Sequence, residues 1–173
     1  FNGGFCSMNH EIIAAQKAKA AGLKRCAVID GDGHHGNGTV QIINKLSLDY
    51  IQHYSFANSG TRPGESAKEW IQKFPEIVYG FEGADLIIFC ASADAYLLDD
   101  LGAGSLTTAQ LALRDAIVFE IAKELQIGVT VLLGGGYRRI NGNDIQPVLD
   151  IHNNTFKIAC EIYELAGYPR ELA

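Results

Sequence analysis

Residues 25–39, RCAVIDGDGHHGNGT, indicate the fold class of this chain. The first six form an apolar run that ends at Asp30, which is typical of a short buried β-strand. A glycine-rich turn follows, and residues 37–46 then return to a helical pattern. A strand, a turn and a helix in this order make the first half of a βαβ unit.

The same alternation continues in both directions along the chain. The pattern predicts helices over residues 9–21, 37–46, 67–79, 107–125 and 144–165. It predicts strands over residues 25–30, 50–56, 86–90 and 129–133, with a loop over residues 58–66. Strands separated by helices favour an α/β fold in three α/β/α layers, with a mostly parallel sheet. We therefore expect one domain over residues 1–173.

Composition limits the classes of partner and compartment. The 173 residues carry a net charge of −6 and contain no run of Lys or Arg, which argues against nucleic acid and anionic membranes as direct partners. An acidic chain suits cationic small molecules or basic peptides better. The apolar stretches are too short to span a bilayer. Four scattered cysteines without a CxxC pair favour a reducing compartment, and we expect a cytoplasmic protein.

Polar residues cluster where the predicted strands end. In an open α/β sheet, ligands bind beyond the carboxyl ends of the strands. Polar groups stand at or just beyond the ends of the four predicted strands, namely Asp30 with the turn after it, Ser55, Asp94 and Tyr137. The sequence therefore predicts a binding site at this edge of the sheet.

The pattern Asp30-x-Asp32-x-His34 is the strongest sign of a metal site. Polar residues at every second position share one face of an extended chain. Asp and His are suitable ligands for zinc or another divalent ion, and Asp94 adds a third ligand. Three protein ligands with an open position are typical of a catalytic metal. The alternative is that Asp30 and Asp32 cap the following helix and that the histidines lie at the surface.

The same letters also match a nucleotide-binding motif, because Gly31-x-Gly33-x-x-Gly36 fits GxGxxG between a strand and a helix. Carboxylates at positions 30 and 32 would repel a pyrophosphate at the helix N-terminus. The acidic residue expected near the end of the second strand is also missing, since Asp49 precedes that strand. The nucleotide alternative is therefore the weaker one.

A second motif, Gly134-Gly135-Gly136-Tyr137, follows the last predicted strand. Glycines allow a ligand to approach the main chain closely. The Tyr137 phenol stays protonated near neutral pH and can donate a hydrogen bond to a developing oxyanion. A plain turn with Tyr137 packed over it remains the alternative.

Four segments, taken together and in order, resemble the histone deacetylase family, which includes acetylpolyamine amidohydrolases and shares its fold with arginase. The segments are Gly4-Phe5-Cys6-x-x-Asn9, residues 29–39, residues 85–95 and Leu133-Gly-Gly-Gly-Tyr137. The resemblance implies an arginase/deacetylase-like fold. It also implies hydrolysis of an N-acetyl amide in acetyl-lysine or acetylpolyamine-type substrates, with Zn2+ or another divalent metal as cofactor.

The resemblance also assigns roles to individual residues. Asp32, His34 and Asp94 are expected to hold the metal, and Tyr137 to stabilise the oxyanion. His35 is expected to act as a catalytic or orienting group next to the metal. Substrate binding is expected of Gly4, Phe5, Gly135 and Gly136. A structural K+ site is expected at Asp30 and Ser55.

The chain departs from the family pattern in its first residues. The family's general base belongs to a separate His-His pair before the Gly-Phe-Cys block, and only three residues precede Gly4. We therefore expect a truncated domain that lacks the family's N-terminal portion. General-base help contributes roughly 10²–10⁴-fold in rate, so weak activity is expected. A catalytically dead metal-binding or assembly module is the alternative, and the uncovered surface near residues 9–21 favours a homo-oligomer.

Overall fold

The fold is that of a computed structural model, which describes residues 6–58, 67–101 and 104–165. Five α-helices alternate with four β-strands over these residues. The elements are α1 (His10–Ala20), β1 (Cys26–Asp30), α2 (Asn37–Leu46), β2 (Ile51–Ser55), α3 (Ala67–Tyr79), β3 (Leu86–Cys90), α4 (Thr108–Glu124), β4 (Gly128–Leu132) and α5 (Gln146–Ile162). Each predicted element is present, with ends displaced by at most three residues. The predicted loop over 58–66 lies outside the described residues, apart from Asn58.

The four strands form one parallel sheet in the order β2-β1-β3-β4. Asp30 is in register with Ser55 on one side and with Cys90 on the other. The carboxyl ends of the three strands therefore lie side by side. The sheet confirms the predicted α/β fold class.

Strand β1 is buried on both faces, which explains its unbroken apolar sequence. Ala27 and Ile29 belong to a core shared with α3, α4 and α5. Cys26 and Val28 belong to a second core shared with α1 and α2. Because successive side chains of a strand point to opposite faces, the sheet separates two helical layers. The fold therefore has the three predicted layers.

The strand order places a topological switch point between β1 and β3. The chain leaves β1 for β2 on one side of the sheet and later returns to β3 on the other side. The loops that follow β1 and β3 consequently diverge and leave a crevice at the carboxyl edge. This crevice holds the candidate site.

Two local features bear on the helices. Helix α2 begins after Gly36 without a side-chain cap, so the alternative in which Asp30 and Asp32 cap this helix is wrong. Helix α4 begins with a capping box between Thr107 and Gln110. Within the described ranges, the helices are too short or too polar to cross a bilayer.

Candidate active site

Three of the predicted ligands meet at the switch point. Asp32 and His34 lie in the loop after β1, and Asp94 lies in the loop after β3. One potential ligand atom from each residue lies within 4.8 Å of the other two. The His34 Nδ1 atom is 2.9 Å from Asp94 Oδ2 and 3.1 Å from Asp32 Oδ1. The strand order thus brings together residues that are 60 positions apart in sequence.

Hydrogen bonds orient both carboxylates. The Gly33 amide donates to Asp94 Oδ1 over 2.8 Å, and the His34 amide donates to Asp32 Oδ1 over 2.8 Å. The Ser92 hydroxyl lies 2.8 Å from Asp94 Oδ1 and 3.1 Å from Asp32 Oδ2, and its single proton serves one of them at a time. The ligand side chains are therefore held in place by their own loops.

The charges at this site favour a bound cation. Asp94 is fully buried, and this burial, with the charge of Asp32, raises the pKa of Asp94 to about 6. Burial lowers the pKa of His34, but its contacts with Asp94 and Asp32 outweigh this effect and leave the pKa raised. Two carboxylates and one imidazole are a donor set that suits zinc-type divalent ions. The residues present fit such an ion.

The glycine-rich loop after β4 packs directly against the ligands. Gly135 has φ +54°, and a Cβ atom there would lie 2.2 Å from Ser92 Oγ and 2.6 Å from Asp94 Cγ. Gly136 has φ +99°, and its missing Cβ would meet Val148 and Ala93 instead. The two glycines predicted to bind substrate therefore differ. A side chain at Gly135 would collide with Asp94, a candidate metal ligand, whereas a side chain at Gly136 would not.

Tyr137 is anchored by an acidic residue that the sequence interpretation missed. Its backbone N–H donates to Asp99 Oδ2 over 2.7 Å. Burial, together with the charges of Asp94 and Asp32, raises the pKa of the Tyr137 phenol and keeps it protonated. The only sequence signal for Asp99 is an acidic pair in an otherwise apolar stretch, LLDDL. Asp100, its neighbour, accepts from the Arg139 amide over 2.8 Å and ties down the same loop.

Asp30 and Ser55 occupy equivalent positions at the ends of adjacent strands. Asp30 Oδ1 accepts a hydrogen bond from the Asp32 amide over 3.0 Å, and Ser55 Oγ accepts one from the Gly36 amide over 3.3 Å. Burial and the nearby Glu11 carboxylate raise the pKa of Asp30 to about 8. The two predicted K+ ligands thus lie on neighbouring strands beside the first site.

His35 lies apart from the three ligand candidates. Its side chain is exposed and makes no hydrogen bond within the described ranges. It lines an open cavity of about 500 Å³, whose wall also includes Asp32, His34 and Cys6. Gly4 and Phe5, which the resemblance assigns to substrate binding, lie outside the described residues.

A buried arginine that the sequence interpretation missed joins the two ligand-bearing loops. Arg114 of α4 is 1% exposed, and its Nη1 donates to Ser92 O over 3.0 Å and to Gly31 O over 3.3 Å. Its Nε donates to Asp115 Oδ1 over 2.8 Å, and Asp115 in turn accepts from the Thr155 hydroxyl. The sequence feature that could have indicated this role is the Arg114-Asp115 pair within an otherwise apolar helix.

Comparison with known proteins shows similarity to deacetylases and acetylpolyamine amidohydrolases. The histone deacetylase domain profile matches residues 2–57. Histone deacetylase 15 of Arabidopsis thaliana is 28% identical over 163 residues, covering 78% of this chain and 29% of the relative. The acetylpolyamine amidohydrolase of Mycoplana ramosa is 48% identical over 40 residues, covering 23% of this chain and 12% of the relative. The chain is a homologue of the histone deacetylases and acetylpolyamine amidohydrolases.

The fold of this deacetylase homologue agrees with a solved structure. The acetylpolyamine aminohydrolase from Burkholderia pseudomallei superimposes with a TM-score of 0.70 at 20% identity, covering 93% of this chain and 52% of that chain. The homologue therefore spans about half the length of that structure, and less than a third of histone deacetylase 15.

Proposed function

We propose that this chain carries the metal centre of a deacetylase that hydrolyses N-acetyl amides of the acetyl-lysine or acetylpolyamine type. The observation that carries the proposal is the convergence of Asp32, His34 and Asp94 at the switch point, beside the loop of Tyr137. The homology with deacetylases and acetylpolyamine amidohydrolases supports the reaction class. The net charge of −6 suits a substrate that carries further amino groups.

Each residue has a defined role in this proposal. Asp32, His34 and Asp94 hold a zinc-type divalent ion, which when bound polarises the acetyl carbonyl and lowers the pKa of a water molecule. The Tyr137 phenol, kept protonated by its raised pKa, donates a hydrogen bond to the oxyanion that develops on that carbonyl. Asp99 holds the backbone of Tyr137 and so sets the position of the phenol.

The remaining predicted site residues have supporting roles. His35 lines the open cavity, is exposed and lies outside the proposed ligand set, and in this proposal it exchanges protons there. Gly135 allows the loop after β4 to approach the metal ligands, and Gly136, Gly4 and Phe5 complete the substrate surface in this proposal. Asp30 and Ser55, beside the first site, are proposed to hold K+.

The alternative proposal is a metal-binding or assembly module without turnover. One observation favours it: His53, an imidazole near the proposed metal site, is buried, and burial lowers its pKa to about 4. It is therefore poorly suited to accept a proton from water.

Metal content and turnover of three variants test both proposals. Zinc-loaded wild type is assayed beside Asp94→Ala, Tyr137→Phe and Tyr79→Phe, the last being an exposed tyrosine of α3 that serves as the matched control. Asp94→Ala should lose one equivalent of zinc, and both tyrosine variants should retain it. An unchanged zinc content in Asp94→Ala contradicts the metal assignment.

Turnover distinguishes the enzyme from the module. The rate of hydrolysis is measured with an acetyl-lysine reporter and with an acetylated diamine. A rate that falls at least tenfold in Tyr137→Phe, but not in Tyr79→Phe, supports the deacetylase. Because the buried His53 is poorly suited to act as the base, we expect turnover to be slower by roughly the 10²–10⁴-fold that a well-placed base contributes. Zinc binding with no hydrolysis in any variant supports the module.

A further inference from the structure

A second group of metal-ligating side chains lies between the sheet and the helices α1 and α2. Glu11 of α1, Asp30 at the end of β1 and His53 of β2 each offer one ligand atom within 4.8 Å of the others. Asp30 points to the same face as Cys26 and Val28, because alternate residues of a strand share a face. His53 is in register with Val28 and shares this face with the buried Ile51.

All three residues are removed from solvent. Glu11 is 5% exposed, Asp30 is 4% exposed and the His53 side chain is 8% exposed. The Nε2 atom of His53 is buried, has no hydrogen-bond partner among the described residues and lies 4.0 Å from Asp30 Oδ2. This gap is too long for a hydrogen bond. After a small side-chain rotation, both atoms can bind an ion about 2.0–2.2 Å from each.

Hydrogen bonds surround the cluster and orient its side chains, including one from Ser55 to the Asp30 carboxylate. Glu11 Oε2 accepts from the Thr39 hydroxyl over 2.6 Å, and Thr39 Oγ1 in turn accepts from the Asn9 side-chain amide over 2.7 Å. Asp30 uses Oδ1 to accept from the Asp32 amide, so Oδ2 faces His53. Such outer bonds orient ligands at metal sites.

Gly36 keeps the space beside these atoms open. A Cβ atom at this position would lie 2.4 Å from Asp30 Oδ2 and 3.3 Å from His53 Nε2. Glu11 and Asp30 also line the cavity of about 500 Å³, which gives an ion a route inward from solvent. Two carboxylates buried this closely are costly unless a cation compensates them.

We propose that Glu11, Asp30 and His53 bind a divalent cation of the zinc type, at a site separate from Asp32, His34 and Asp94. Two carboxylates and one imidazole are the ligand types that such ions accept in proteins. The ion joins α1 to the end of β1 and the middle of β2. It shares Asp30 with the K+ site proposed at Asp30 and Ser55, whereas Glu11 and His53 belong to the divalent site alone.

Zinc stoichiometry of the whole chain tests this proposal. The metal-free protein is dialysed against zinc chloride, and bound zinc is measured by elemental analysis, with circular dichroism to check folding. Wild type should bind two equivalents and Asp94→Asn one. One equivalent in the wild type, lost in Asp94→Asn, overturns the second site and leaves the first intact.

Variants of the second site provide an independent measurement. Glu11→Gln preserves an acceptor for Thr39 but removes the negative charge, and His53→Phe removes the ligand nitrogen from a buried ring. Each should lower the wild-type stoichiometry from two to one, while Glu120→Gln, an exposed change on α4, should retain two. Two equivalents in both folded variants overturn the proposal. Adding Asp94→Asn to Glu11→Gln should abolish zinc binding.

Discussion

At the scale of single residues, Gly135 couples backbone conformation to the proposed metal site. Its φ of +54° and the 2.6 Å between a built Cβ and Asp94 Cγ leave no room for a side chain. We predict that Gly135→Ala weakens zinc binding by roughly 10–100-fold, the range found when the support of a ligand is disturbed. Competition with a chromogenic chelator measures this affinity.

Gly142→Ala is the matched control for this prediction. Gly142 also has a positive φ, +90°, but nothing lies within 4 Å of its missing Cβ. The left-handed backbone should lower the free energy of unfolding of both variants by about 1–2 kcal/mol, measured by urea unfolding. Equal zinc affinities in the two variants would show that the contact with Asp94 is unimportant.

His152 of α5 should make stability depend on pH. Burial and the nearby charge of Arg114 lower the pKa of His152 below its usual 6.5, and its Nδ1 atom is buried without a hydrogen-bond partner. In acid, the unfolded chain therefore binds a proton that the folded chain does not. The contribution of His152 to the free energy of unfolding is fully present above pH 6.5. It decreases as the pH falls, by at most about 1.4 kcal/mol per pH unit.

Urea unfolding of the metal-free protein at pH 7.5 and 5.5 checks this sign. Wild type should lose more stability on acidification than His152→Gln. Taking the difference between the two proteins cancels the contributions of all other titrating groups. An equal loss in both proteins would contradict the assignment to His152.

At the scale of elements, α4 holds the two ligand loops through one side chain. Arg114 donates to the carbonyls of Gly31 and Ser92, and it neutralises the buried Asp115. We predict that Arg114→Met lowers the free energy of unfolding by about 3–5 kcal/mol, because it leaves a buried carboxylate without its cation. Urea unfolding monitored by circular dichroism measures the loss.

Arg138→Met is the control for the Arg114 prediction. Arg138 pairs with Asp100 over 2.8 Å at the surface, where an ion pair contributes about 0–1 kcal/mol. A loss of less than about 1 kcal/mol in both variants would mean that α4 does not depend on its buried arginine. The prediction concerns stability and holds whether or not the chain hydrolyses a substrate.

At the scale of the whole molecule, helix α1, which was expected to be partly uncovered, packs one face against the sheet and leaves Ile13 exposed. Helix α1 buries Ile12 and Ala15 against β1 and β3, on a face of the sheet rather than at its edge. Strand β4 is more open, since every residue of it is at least partly exposed and it ends the described sheet. An accessible edge strand favours pairing with another chain.

We therefore predict that the 173-residue chain self-associates through β4. Light scattering at micromolar concentrations should give a mass above 18.7 kDa that rises with concentration. Thr130→Lys places a charge on the exposed middle of β4 and should return the mass toward that of a monomer. A wild-type mass of 18.7 kDa at every concentration would contradict this prediction.

The sequence by itself determined the order, type and approximate limits of the elements. Alternating apolar runs and helical patterns are local properties, and they predicted α2, α3 and β3 at their observed limits. The rule that parallel strands gather ligands at their carboxyl ends also predicted that Asp32, His34 and Asp94 would meet. These inferences succeeded because each depended on nearby residues or on one general property of α/β sheets.

Only the tertiary structure decided which distant side chains share an environment. Glu11 and His53 lie in different elements, and the strand order β2-β1-β3 with α1 packed over it places them beside Asp30. Arg114 reaches the carbonyls of two loops because α4 lies beneath both. His35, adjacent to a ligand candidate in sequence, faces the open cavity. Burial and contact arise from packing between elements, which periodicity within one element does not encode.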